Sequence, residues 1–156
     1  MSWTVLGAFL ALNFAAASAG ALFKPGAWYE RLAKPGWTPP DWAFPLVWSV
    51  LFILNALAGA LVWQASVPGS AMAIGVYGVS LAINFAWSAL FFGIKRMDLA
   101  LIDVIGLWVS IAVTMALFWP ISPLASLFQA PYLLWVTIAA ALNLRVMQMN
   151  RREISA

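Results

Sequence analysis

Residues 42 to 63 read WAFPLVWSVLFILNALAGALVW, 22 positions without one charged side chain. At about 1.5 Å of rise per residue, a helix of that length matches the thickness of a bilayer's hydrocarbon core, so the stretch is read as a membrane span. Four more windows of the same kind follow when the reading moves outward: Trp3 to Phe23, Ala71 to Ile94, Leu99 to Trp119, and Leu124 to about Met147. The last contains Pro131, which predicts either a later helix start at that residue or a kink. Together the windows predict an all-α membrane protein, a five-transmembrane-helix bundle forming a single domain over residues 1–156, with a loop at 24–41 between the first two spans.

Composition agrees. The chain is 65% hydrophobic and 8% charged, with a mean hydropathy of +0.94, whereas soluble domains carry about 25% charged residues. It has no cysteine and no histidine. Disulfides, thiolate nucleophiles, the usual zinc sites and imidazole acid–base chemistry are therefore excluded, and no catalytic residues are assigned. No metal site, no required cofactor and no nucleic-acid partner are expected.

The first window has a rival reading, because AAASAG at 15 to 20 resembles the small-residue cleavage site of a secretory signal. No Lys or Arg precedes Lys24, so the basic leader region is missing and the window is read as a retained helix. Five crossings place the N-terminus and the connections QASVPGS (64–70) and PISPLASLFQ (120–129) on one side, where no charged residue occurs. All basic residues, namely Lys24, Arg31, Lys34, Lys95, Arg96, Arg145, Arg151 and Arg152, fall on the other. The positive-inside rule makes that face cytoplasmic, with the N-terminus outside and the C-terminus inside. Small residues recur every fourth position as Gly7, Ala11, Ala15 and Ala19, and as Gly78, Ala82 and Ala86. Such stripes serve either packing within the monomer or a homodimer face.

Most tryptophans lie at span ends, where interface anchoring accounts for them. Trp48, Trp87, Trp108 and Trp135 lie deeper. Helical spacing groups three of them with amides: Trp48, Phe52 and Asn55 on the second span; Asn84, Trp87 and Phe91 on the third; Trp135, Ala139 and Asn143 on the fifth. An unpaired amide is costly in hydrocarbon, so these stripes face the protein interior, either as interhelical glue or as the wall of a ligand cavity. Asp103 is the acidic residue inside a span, and is expected to pair with Lys95, Arg96 or Arg145, with a proton relay as the alternative.

The loop segment KPGWTPPDW, residues 34 to 42, holds three prolines. It suits a rigid non-helical shape, with Asp41 as the cap of the second span. It serves either as a lid, with Trp37 closing the top of a cavity, or as an interface anchor.

The motifs KPGWTPPDWAFPLVW (34–48), NFAWSALFFG (84–93), ALIDV (100–104), SPLA (122–125), and PYLLW followed by LN (131–135, 142–143) make the chain similar to the tryptophan-rich sensory protein and translocator protein family, TspO/MBR, also called the peripheral benzodiazepine receptor family. The resemblance covers the first span to the last. It implies a membrane receptor, sensor or transporter, usually dimeric, that binds porphyrins such as protoporphyrin IX, and in some members cholesterol or synthetic ligands, in a cavity under the first loop. Carried over by motif, the ligand-binding residues are Trp37 from the loop, Trp48 and Phe52, Asn84 and Trp87, and Trp135, Ala139, Leu142 and Asn143. Basic residues at the mouth would pair with porphyrin propionates.

Two departures bear on function. Phe52 stands where the family commonly has tyrosine, which removes a phenol from an alternative reading, photo-oxidative degradation of porphyrin. A non-binding scaffold is a third reading. Leu144 to Gln148 lack the tyrosine and basic residue of a sterol motif, which argues against sterol binding. A bacterial inner membrane is the expected location.

Overall fold

Lipid offers no partner to a peptide N–H or C=O, so an apolar stretch that crosses a bilayer must close its hydrogen bonds within itself. The computed structural model describes residues 2–151, and its spans follow that rule. The helices are α1 (Trp3–Leu22), α2 (Ala27–Arg31), α3 (Ala43–Ala65), α4 (Ser70–Ser88), α5 (Met97–Phe118) and α6 (Pro123–Met149), with a π-helical turn, Ala89–Gly93, extending α4. Five are long and apolar enough to cross a membrane, which makes this an integral membrane protein. The short α2 inside the first loop is the element the hydropathy pattern did not reveal.

Two expected boundaries need correction. Helix α6 does not wait for Pro131: it begins at Pro123, where a proline ring suits the first helical position, and runs on through Pro131. Ser122 caps it, its Oγ accepting from the Ala125 N–H at 3.3 Å. Nor does Asp41 cap α3. The N–H of Ala43 donates to the Pro40 carbonyl at 2.9 Å, which places Asp41 within that turn; Trp42 occupies the cap position and no side chain caps the helix.

Contacts at the helix ends fix the alternation of the spans. At one end the Ser2 N–H donates to Gln64 Oε1, joining the start of α1 to the end of α3. At the other, the Ala33 N–H donates to Asn150 Oδ1 at 2.9 Å and Asn150 Nδ2 returns a bond to the Ala33 carbonyl at 2.8 Å. The first loop is thereby clamped to the end of α6. Lys24, Arg31, Lys34, Lys95, Arg96, Arg145 and Arg151 all belong to this second end; Arg152 lies outside the described residues.

Near the uncharged end, four helices are tied by buried polar side chains. Asn13 Nδ2 donates to the Tyr77 hydroxyl, Asn55 Nδ2 to Asn13 Oδ1 at 2.7 Å, and Gln129 Nε2 to Asn55 Oδ1. The Tyr77 hydroxyl then donates to the Asn55 carbonyl at 3.2 Å. Asn55 is thus interhelical glue, one of the two roles open to it. Helices α1 and α3 approach closely because Gly59 has no side chain: a Cβ there would lie 2.5 Å from Phe9 Cδ1. The α1 stripe is otherwise unspent, since Gly7, Ala11 and Ala15 are exposed and only Ala19 is buried.

Candidate functional site

The aromatic stripes converge on a cavity of about 780 Å³ toward the charged end of the bundle, within the size range of small-molecule sites. Trp48 and Phe52 of α3, Asn84 and Trp87 of α4, and Trp135, Ala139, Leu142 and Asn143 of α6 all line it. Helix α1 closes one side with Phe14, Ala17 and Gly20, and α5 contributes Val104 and Leu107.

Polar bonds and ring contacts set the orientation of the lining side chains. Trp87 Nε1 donates to Asn143 Oδ1 at 3.2 Å, and Asn143 Nδ2 donates onward to the Met97 carbonyl at 2.9 Å. Asn143 therefore both glues α4, α5 and α6 and presents itself to the cavity. Asn84 Nδ2 donates to the Tyr132 hydroxyl at 2.8 Å. The Trp48 ring stacks on Phe52 at 5.4 Å and 28°, and Trp87 on Phe91 at 5.1 Å and 23°. Phe44 meets Trp135 edge-on at 5.7 Å. Phe91 and Phe92, adjacent in sequence, both line the cavity; they sit in the π turn, whose wider spiral departs from the α-helical period.

The loop does form part of the wall, but through other residues than expected. Tyr29, Glu30, Lys34 and Asp41 line the cavity, whereas Trp37 does not and is 52% exposed. The cause is a tight turn: the Pro35 carbonyl accepts from Thr38 N–H at 3.0 Å and from Thr38 Oγ1 at 2.7 Å, leaving Gly36 and Trp37 at its tip. Lys34 Nζ sits 4.4 Å above the Tyr29 ring. Burial, and secondarily the charge of Asp41, push the Tyr29 phenol above its ordinary range. Lys34 is the one cation on the described wall, where Glu30 and Asp41 oppose it, so the expected set of basic residues at the mouth reduces to a single lysine.

Trp108, though deep in sequence, faces outward between α5 and α6, its Nε1 donating to Thr137 Oγ1 at 2.9 Å. Asp103 does not find the expected cationic partner. Arg96 instead holds Asp98, two residues away, through two bonds of 2.8 and 2.6 Å, and this pairing raises the Arg96 guanidinium further above neutrality. Arg145 reaches Gln148 Oε1 at 3.3 Å. Among the described residues, Asp103 Oδ2 is left buried without a hydrogen-bond partner.

Residues missed by the sequence reading fall into two groups. Phe44 was available to it, being one helical turn before Trp48 on the same stripe. Tyr29, Lys34 and the α1 wall carried no such signal, because a loop has no period and the α1 wall is made of small residues.

Comparison with known proteins agrees with this architecture. The sequence profile of the TspO/MBR family matches residues 8–149. The chain is 43% identical over 150 residues to a tryptophan-rich sensory protein of Cereibacter sphaeroides, covering 96% of this chain and 94% of that one. It is 37% identical over 155 residues to protein CrtK of Rhodobacter capsulatus, covering 98% and 97%, and 35% identical over 149 residues to the translocator protein of Sus scrofa, covering 94% and 85%. With this coverage from α1 to α6, the chain belongs to the TspO/MBR family.

Proposed function

We propose that the protein is a membrane receptor or sensor that takes a flat aromatic ligand, a porphyrin such as protoporphyrin IX, in the cavity beneath the first loop, without chemically altering it. The observation that carries this reading is the convergence of three indoles, Trp48, Trp87 and Trp135, from three helices onto one cavity of about 780 Å³. Indole and phenyl faces stack on a planar macrocycle, each such contact contributing about 0.5 to 1.5 kcal/mol beyond burial. One propionate has Lys34 as a partner; the other is left to the interface or to water.

In this reading the charged end faces the cytoplasm of a bacterial inner membrane. The exposed Gly7–Ala11–Ala15 face of α1 serves a homodimer. Titration of purified protein with protoporphyrin IX, followed by tryptophan quenching, tests the function. Trp48→Ala and Trp135→Ala weaken binding, while Trp108→Ala, outside the cavity, does not. Unchanged affinity in both cavity variants refutes the site, and the absence of saturable binding refutes the receptor. Illumination of the complex beside free porphyrin tests the enzymatic alternative, because protein-dependent products would reassign the site as catalytic.

A further inference from the structure

A second hollow, of about 330 Å³, opens at the charged end between the start of the first loop and the end of the π turn. Among the described residues three cations line it, Lys24, Arg31 and Lys95, with Trp28 and Phe92 as apolar surface and no carboxylate. Other cations of this end are engaged: Arg96 by Asp98, Lys34 by Tyr29 and two carbonyls, Arg145 by Gln148. Among the described residues, Lys24, Arg31 and Lys95 make no ion pair. Three like charges around one concavity repel each other, and an anion held between them removes that cost. Lys95 also keeps a left-handed backbone, φ 59°, which is unfavourable for a residue with a Cβ.

We propose that this hollow binds the phosphate of an anionic phospholipid headgroup. The surroundings favour a lipid over a soluble phosphate. Leu22, two residues before Lys24, is 67% exposed, and Ile94, next to Lys95, is 59% exposed. Exposed apolar side chains thus stand beside the cations where α1 ends and where the π turn ends, and Trp28 supplies an indole of the kind enriched at membrane interfaces. Phosphate oxygens accept charge-assisted bonds from each cation, and basic residues near an anionic leaflet add affinity roughly in proportion to their number. Phe92 is shared with the large cavity, so a bound headgroup would lie against the cavity wall.

Native mass spectrometry of the full chain released from nanodiscs containing equal phosphatidylglycerol and phosphatidylcholine tests the proposal. The wild type retains phosphatidylglycerol preferentially. K24Q/K95Q lowers that preference by roughly thirtyfold, whereas R145Q/R151Q, which removes the same charge from the same end outside the hollow, keeps it. Equal loss in both double variants assigns the effect to diffuse surface charge and overturns the proposal, as does retention in both. Binding of inorganic phosphate in pure phosphatidylcholine discs, with no phosphatidylglycerol preference, overturns the lipid source. Weaker protoporphyrin quenching in K24Q/K95Q with its lipid preference intact reassigns the hollow to propionates. Should the double variant fail to fold, R31Q alone carries the test through a partial loss of preference.

Discussion

Trp87→Phe and Asn143→Ala, made singly and together, test the bond that orients an indole toward the cavity. Trp87 Nε1 donates to Asn143 Oδ1 at 3.2 Å, and Asn143 Nδ2 donates to the Met97 carbonyl at 2.9 Å. Interhelical hydrogen bonds inside membranes contribute about 0.6 kcal/mol on average and up to about 1.7 kcal/mol. Trp87→Phe removes one bond and keeps an aromatic ring against Phe91, so it costs about 0.6 to 1 kcal/mol. Asn143→Ala removes both bonds and truncates a side chain only 2% exposed, so it costs about 1.5 to 2 kcal/mol. The shared bond is lost once, not twice, in the double variant, whose cost falls short of the sum by about 0.6 kcal/mol. Equilibrium unfolding in mixed micelles reads these differences. Asn143→Ala also frees the Trp87 ring and weakens binding of a planar ligand by about threefold, the equivalent of 0.6 kcal/mol, although it removes no aromatic surface. Strictly additive stability losses would refute the indole–amide bond and the orienting role built on it.

Gly59→Ala forces a Cβ to within 2.5 Å of the Phe9 ring, which Tyr77 and Trp63 hem in at 5.7 and 6.5 Å; thermal unfolding should show a loss of about 1 to 3 kcal/mol, largely recovered by adding Phe9→Leu. Gln129→Leu leaves Asn55 Oδ1 without its donor and lowers stability by about 0.6 to 1.7 kcal/mol in the same unfolding assay, with ligand affinity unchanged because neither residue lines the cavity. Asp103→Asn replaces a carboxylate whose Oδ2 is buried and has no hydrogen-bond partner among the described residues, and raises rather than lowers the melting temperature at neutral pH; a lower value would indicate a partner for the charge. Trp37→Ala leaves porphyrin affinity unchanged, since the ring lies at the tip of its turn, 52% exposed and off the cavity wall; a quenching titration in which affinity fell severalfold would restore its role as a lid.

Much of the site was legible wherever one helix alone decided it. Trp48 and Phe52, or Trp135 and Ala139, share a face because four residues are close to one helical turn, and an amide on the same stripe marks that face as turned from lipid. The same rule failed where the answer depended on a second element. Asn55 sits on the Trp48 stripe but spends its amide on Asn13 and Gln129, a choice made by how α1 and α6 are rotated against α3. Asp103 had three plausible cations in the sequence. Arg96 goes to Asp98 because a bidentate bond across two residues requires no reach into the bundle.

By itself the sequence determined the number of spans, their limits to within a few residues, and the gathering of cations at one end, because the cost of placing a peptide group or a charge in hydrocarbon is a property of each segment alone. Only the tertiary structure decided which stripes enclose a volume, which amides serve as glue, and which loop residues reach the cavity. Those outcomes depend on the rotation and separation of neighbouring helices. These in turn rest on contacts distant in sequence, such as Gly59 against Phe9, Trp87 against Asn143, and Ala33 against Asn150.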